Sequence, residues 1–236
     1  MNDNIDNNNI DNSSIDNDSM NNTIAPILRR QMGKQRRQLS SHQRQHAAAH
    51  ASLWLHKLTT RLPKNARVGI YYDGFGEMPT QPLLAWCQRH GFRAFLPIVG
   101  SWGQTPPSSA FNPYKRLRFT PIASSRLINI PTYRHKLGMQ QQHGQYLLEA
   151  HQLDVLFCPL VAVDKVGTRM GMGGGYYDAT LSKSHRLQLP KPLIIGWCYD
   201  FQVVDALPKK PWDVPMDMVV TPSGIRWGSF GYWRWV

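Results

Sequence analysis

The residues with the most chemical potential lie between Leu160 and Leu181, in the stretch LVAVDKVGTRMGMGGGYYDATL. Four glycines (Gly171, Gly173, Gly174 and Gly175) fall within five positions. The apolar run Val155 to Val163 before them reads as a buried strand, and YYDATL after them has the spacing to start a helix. A strand, a glycine-rich turn and a helix N-terminus make a place for an anion. Glycine admits positive φ and close approach, and the first helical N–H groups point unpaired at the ligand. Asp178 follows the last glycine by three residues, inside the first helical turn. A carboxylate beside bound phosphates repels them unless a cation lies between. Mg²⁺ suits that position because it takes one or two protein carboxylates together with phosphate oxygens.

The glycine stretch has neither the Lys-Ser/Thr ending of a P-loop nor the spacing and downstream acid of a dinucleotide fingerprint. Taken alone, it equally describes a turn between strand and helix. Two further places hold acids that could do chemistry. Glu77, in DGFGE, sits at the carboxyl end of an expected strand, where ligands gather in open α/β sheets. Its alternative reading is a solvent-exposed loop acid. Asp213 and Asp217 lie in KKPWDVPMDMVVTPSG, a loop followed by a strand.

The elements that must position these residues follow an α/β rhythm. Residues 1–23, an Asn/Asp/Ser tract, offer too little apolar surface to offset ordering entropy and are expected to be disordered. From Ile24 to Leu62 the pattern is helical, broken at Leu39–Gln43, with Ser40 or Ser41 as the N-cap of a second helix. The first helix carries Arg29, Arg30, Lys34, Arg36 and Arg37, a run whose ordinary reading is a solvated basic face. Val68 to Tyr72 form a short strand, Thr80 and Pro82 open a helix, and Ala94 to Val99 supply the next strand. YKRLRFTPI reads as an edge strand or hairpin arm, RLINIPTYRHKLG as extended, and Met139 to His151 as a helix. LIIGWCYD is a further strand after Pro190 and Pro192. The aromatic end, residues 225–236, is set apart as a tail packing on the body or on a partner.

At 236 residues the chain suffices for one substantial α/β domain. No apolar run reaches the roughly 18 residues of a membrane span, and the polar N-terminus is not a signal peptide. Cys87, Cys158 and Cys198 lie far apart in apolar surroundings, as buried thiols of a reducing, cytoplasmic protein. His42, His46 and His50 repeat at helical intervals without a further ligand to complete a zinc site. The net charge is +12, but the first 24 residues hold five Asp and no Lys or Arg, which leaves 27 basic against 10 acidic residues elsewhere. A surface of that sign attracts polyanions, so a non-catalytic nucleotide- or RNA-binding protein stands as the rival reading. The basic residues are dispersed and form no recognised nucleic-acid motif.

Four ordered segments together resemble the 5-formyltetrahydrofolate cyclo-ligase (5,10-methenyltetrahydrofolate synthetase) family: LRRQMGKQRRQLS, YYDGFGEMPTQPLL, DVLFCPLVAVDKVGTRMGMGGGYYDATL and PWDVPMDMVVT. The resemblance implies a single three-layer αβα domain over 24–224, with a largely parallel central sheet preceded by a helical pair. It implies ATP-dependent closure of 5-formyltetrahydrofolate, or its polyglutamates, to 5,10-methenyltetrahydrofolate, with small molecules rather than membrane or nucleic acid as partners. By resemblance, Arg29, Arg169, Met170, Gly171, Met172, Gly173, Gly174, Gly175, Tyr176 and Tyr177 surround ATP, with Arg169 as the positive clamp. Tyr72, Glu77 and Met172 to Tyr176 face the folate, and Asp178 and Asp213 hold Mg²⁺. Arg169, Tyr176 and Asp178 are then the catalytic set. One departure stands out: the family often has a lysine where this chain has Ala25, which implies either weaker nucleotide affinity or substitution by Arg30 or Lys34.

Overall fold

Short apolar runs alternating with amphipathic segments build one eight-stranded sheet with helices on both faces. The computed structural model describes residues 12–99, 116–135, 140–144, 146–186, 188–229 and 232–235. Helix α1 (Asn12–Gln38) leads into α2 (Ser41–Leu53). Ser40 caps α2 in a capping box: its hydroxyl accepts from the Gln43 amide while the Gln43 side chain accepts from the Ser40 amide. A single turn, α3 (His56–Thr59), precedes the first strand.

The sheet strands are β1 (Arg67–Gly69), β2 (Arg93–Val99), β3 (Leu117–Pro121), β6 (Val155–Cys158), β9 (Leu193–Trp197), β11 (Met218–Thr221), β12 (Gly224–Ser229) and β13 (Tyr232–Trp235). Their order is β13-β12-β11-β9-β6-β1-β2-β3. The five central strands are mutually parallel; β3 and β12 flank them antiparallel, and β13 pairs antiparallel with β12 at the edge. A two-stranded ribbon pairs β4 (Thr132–Arg134) with β5 (Gln140–Gln142). A small sheet pairs β7 (Ala162–Asp164) with β8 (Arg169–Met170) and β10 (Val203–Val204).

Helix α4 (Gln81–Arg89) crosses from β1 to β2, and α5 (Tyr176–Arg186) from β6 to β9. The central strands β6, β9 and β11 are buried on both sides, so their residues alternate between two cores. Val155 and Phe157 pack with Leu55, Leu84 and Trp86 of α3, α4 and their surroundings, whereas Leu156 and Cys158 pack with Leu181 of α5. This is the expected three-layer arrangement. The cysteines Cys87, Cys158 and Cys198 are free and buried within it.

Several expectations are corrected. Residues 12–23, expected to be disordered, are helical and continuous with the rest of α1, because extending an existing helix adds one hydrogen bond per residue fixed; residues 1–11 lie outside the described residues. The helix expected from Met139 to His151 is absent over its described part. Gln140–Gln142 is strand, and only Ala150–Gln152 makes a 3₁₀ turn. Gln141 there bonds both backbone groups of Val99, and Gln142 donates to the Pro121 carbonyl, tying the segment to β2 and β3. The described residues of the expected 225–236 tail belong to the sheet: β12 and β13 extend it beyond β11, as a segment rich in Trp and Tyr favours. The run Val155 to Val163 is two strands, β6 and β7, divided around Pro159.

Candidate active site

The chain leaves β1 in one direction, towards β2, and later returns on its other side as β6, so the strand order reverses between them. A cavity of about 670 Å³ opens at their carboxyl ends, where Tyr71 and Tyr72 follow β1, and Pro159 and Leu160 follow β6. The residues assigned to ATP, folate or metal from the resemblance all line it: Arg29, Tyr72, Glu77, the stretch Arg169 to Asp178, and Asp213.

The glycine stretch leaves β8 and turns into α5. Gly173 and Gly175 take φ of 97° and 69°, the left-handed region that a side chain resists. The turn thereby delivers the α5 N-terminus to the cavity. Arg29 of α1 donates from Nε to the Gly171 carbonyl at 2.9 Å, fastening the turn from outside. Arg36, expected on a solvated face, is 1 % exposed. It donates to the Leu160 carbonyl at 3.3 Å, reaches the Met172 sulfur at 3.7 Å, and lies 3.8 Å from Glu77. Arg30 and Lys34 are exposed, and neither is among the residues lining the cavity; Ala25 is buried and does line it.

Glu77 is not a solvent-exposed loop acid. Its side chain is 10 % exposed and accepts a hydrogen bond from the Gly74 amide at 3.0 Å. Burial pushes its carboxyl up to about 7; the Gly74 amide and the Arg36 charge hold it down, and neighbouring Asp73 pushes it further up. Asp73 itself accepts from the Thr80 amide and hydroxyl, so it supports the start of α4.

Elsewhere in the cavity lining, Arg169 and Asp178 form an ion pair at 2.7 Å. Arg169 also donates to the Pro159 carbonyl at 3.3 Å. Both terminal nitrogens of the expected phosphate clamp are thus engaged, and the arginine orients Asp178. The other oxygen of Asp178, Oδ1, is buried without a hydrogen-bond partner among the described residues. Asp213 accepts from the Lys210 amide at 2.8 Å. Its carboxyl is raised by burial and by the Asp178 charge, against the pull of that amide. A carboxylate oxygen of this kind with a second acid within its field is the chemistry of donors that Mg²⁺ takes together with phosphate oxygens. Asp217 has a different role: it pairs with Lys191, just before β9, and accepts from the Ile194 amide within it.

Lys210 and Trp212 also line the cavity and were missed. The signal was present, since both lie within three residues of Asp213 in KKPWD. Gln140 to Gln142 were missed because the segment read as helix.

The 5-formyltetrahydrofolate cyclo-ligase family profile matches residues 22–222. The 5-formyltetrahydrofolate cyclo-ligase of Escherichia coli (strain K12) is 35 % identical over 168 residues, covering 71 % of this chain and 80 % of that protein. The Haemophilus influenzae protein of the same name is 31 % identical over 179 residues, covering 75 % and 85 %. The Aquifex aeolicus 5,10-methenyltetrahydrofolate synthetase shares the fold, with a TM-score of 0.66 at 23 % identity over 88 % of this chain and 94 % of that one. The Mycoplasma pneumoniae 5,10-methenyltetrahydrofolate synthetase gives 0.60 at 25 % identity, covering 84 % and 98 %. The chain belongs to the 5-formyltetrahydrofolate cyclo-ligase family.

Proposed function

We propose that this protein closes 5-formyltetrahydrofolate to 5,10-methenyltetrahydrofolate at the expense of ATP, releasing ADP and phosphate. The observation that supports this reading most is the sharing of one cavity by two unlike sets of residues: the buried acid Glu77, and the glycine turn with Asp178 and Asp213.

In this reading the ionised Glu77 accepts hydrogen bonds from the N–H edge of the pterin. The glycine turn and the α5 N-terminus receive the triphosphate on main-chain amides, and Arg29 and Lys210 offset its charge. Asp178 and Asp213 are the residues that would hold Mg²⁺, which neutralises phosphate charge when bound. The formyl oxygen then attacks the γ-phosphorus, and the bond to the β-phosphate oxygen breaks to release ADP. The resulting phosphorylated imidate is attacked at carbon by the side-arm nitrogen, which loses its proton. The carbon–oxygen bond breaks, and inorganic phosphate leaves with the former formyl oxygen. Phosphorylation is needed because an amide-like oxygen is otherwise a poor leaving group. The protein's share is in-line positioning and charge neutralisation.

The test is optical. Methenyltetrahydrofolate absorbs in the near ultraviolet, so protein with 5-formyltetrahydrofolate and MgATP should generate that band while releasing one ADP per product. Folded protein that gives neither across pH 6–8 overturns the proposal.

A further inference from the structure

Gly74, Phe75, Gly76 and Glu77 form a four-residue turn, closed by the Glu77 amide donating to the Gly74 carbonyl at 2.8 Å. The two central residues, Phe75 and Gly76, take φ of 50° and 75°. Left-handed backbone at both central positions is the type I′ pattern, for which Asn-Gly is the favoured pair. Gly76 adopts it freely. Phe75 does so with its β-carbon crowded against the following carbonyl, an outlier for a bulky residue.

The ring does not recover that cost by packing. Phe75 is 58 % exposed and belongs to none of the three hydrophobic clusters. No ring pairing involves it among the described residues. It does line the cavity, two residues before Glu77. The other strongly exposed aromatic lining the cavity, Trp212, stands beside Asp213 with Lys210 over its ring at 5.4 Å. A strained backbone that holds an apolar ring at the cavity, without benefit to the core, calls for a ligand to cover it.

We propose that Phe75 is a substrate-contacting residue, its ring supplying a flat apolar surface to the fused ring system of the folate whose polar edge meets Glu77. This rests on the proposed function, in particular on Glu77 marking the folate side of the cavity. The turn thus gives up local stability to hold an aromatic surface beside the acid that orients the same ligand.

The experiment compares wild type with Phe75→Asn and Phe75→Trp. Asn tolerates the left-handed region and restores the favoured Asn-Gly pair, so Phe75→Asn should match or exceed the wild-type Tm by about 2–4 °C. Its KM for 5-formyltetrahydrofolate should rise about 5- to 50-fold, the range of a lost ring contact. Its KM for ATP should stay within twofold of wild type, and Phe75→Trp should keep the folate KM within about threefold. A folate KM within twofold of wild type in Phe75→Asn overturns the proposal. So does a fall in Tm with both KM values rising together, which would make the ring structural. Thermal shift with 5-formyltetrahydrofolate alone separates the two levels. Wild type that shows neither turnover nor a shift defeats the functional reading, whereas equal shifts in wild type and Phe75→Asn defeat only the role of Phe75.

Discussion

Arg169 Nη2 lies 2.7 Å from Asp178 Oδ2, with the two side chains 4 % and 17 % exposed. The acid facing the proposed metal position is therefore also the counter-charge of a buried arginine. Asp178→Asn should consequently fail twice. Turnover should fall at least 100-fold, and stability should drop by about 3 kcal/mol, the cost of leaving a buried charge unpaired. Activity assays with denaturant titration check both. An Asp178→Asn protein of wild-type stability would contradict the ion pair, and one of wild-type turnover would contradict the metal role.

Asp213 has no such ion pair among the described residues, so its removal should act mainly on the ion. Asp213→Asn should raise the Mg²⁺ concentration for half-maximal activity about tenfold or more with a loss of stability under about 1 kcal/mol. Chelation should abolish wild-type turnover, and added Mg²⁺ should restore it. A metal titration with calorimetry reads these effects.

Glu77 provides a pH signature. Its carboxyl titrates at about 7 in the folded protein, and the ionised form is the one that accepts from the pterin. Folate KM should therefore rise as pH falls below about 7, approaching tenfold per unit. Stability should move the other way. The folded state holds this proton more tightly than the unfolded chain, so the Glu77 contribution is fully favourable below about 4.5 and is lost as pH rises through about 7. The Tm of Glu77→Gln minus that of wild type should increase across that window, whatever constant offset the substitution brings.

Arg36 lies 3.8 Å from Glu77 and helps hold its carboxyl down. Arg36→Met should shift the midpoint of the folate KM profile upward by about 1–2 pH units, with Arg36→Lys intermediate. An unchanged midpoint would show that the pairing does not tune the acid.

Arg29 fastens the glycine turn through the Gly171 carbonyl. Arg29→Ala should raise the KM for ATP about tenfold, equivalent to about 1.4 kcal/mol, and leave the folate KM within twofold. Steady-state kinetics with each substrate varied separates the two.

Much of this was legible in the sequence, for identifiable reasons. The glycine turn declares itself because few residues other than glycine take the φ values found at Gly173 and Gly175. Glu77, Asp178 and Asp213 stand out because acids are scarce in this basic chain. Arg36 was not legible: its partners at Leu160, Met172 and Glu77 are all distant in sequence, and helical periodicity says nothing of them. Gln140 to Gln142 misled for a related reason, since bonds to the backbones of Val99 and Pro121 override local helical preference. The aromatic end was set apart because hairpin pairing with β11 depends on an open sheet edge that local pattern does not reveal.

If one cavity brings the formyl oxygen onto the γ-phosphorus of ATP, that oxygen must leave in the inorganic phosphate. Single-turnover reaction of 5-formyltetrahydrofolate carrying ¹⁸O in the formyl group, with the phosphate analysed by mass spectrometry, decides this. The label should appear in the released phosphate, one atom per methenyltetrahydrofolate formed. Product formed with unlabelled phosphate would contradict the phosphorylated intermediate and the arrangement of the cavity built around it.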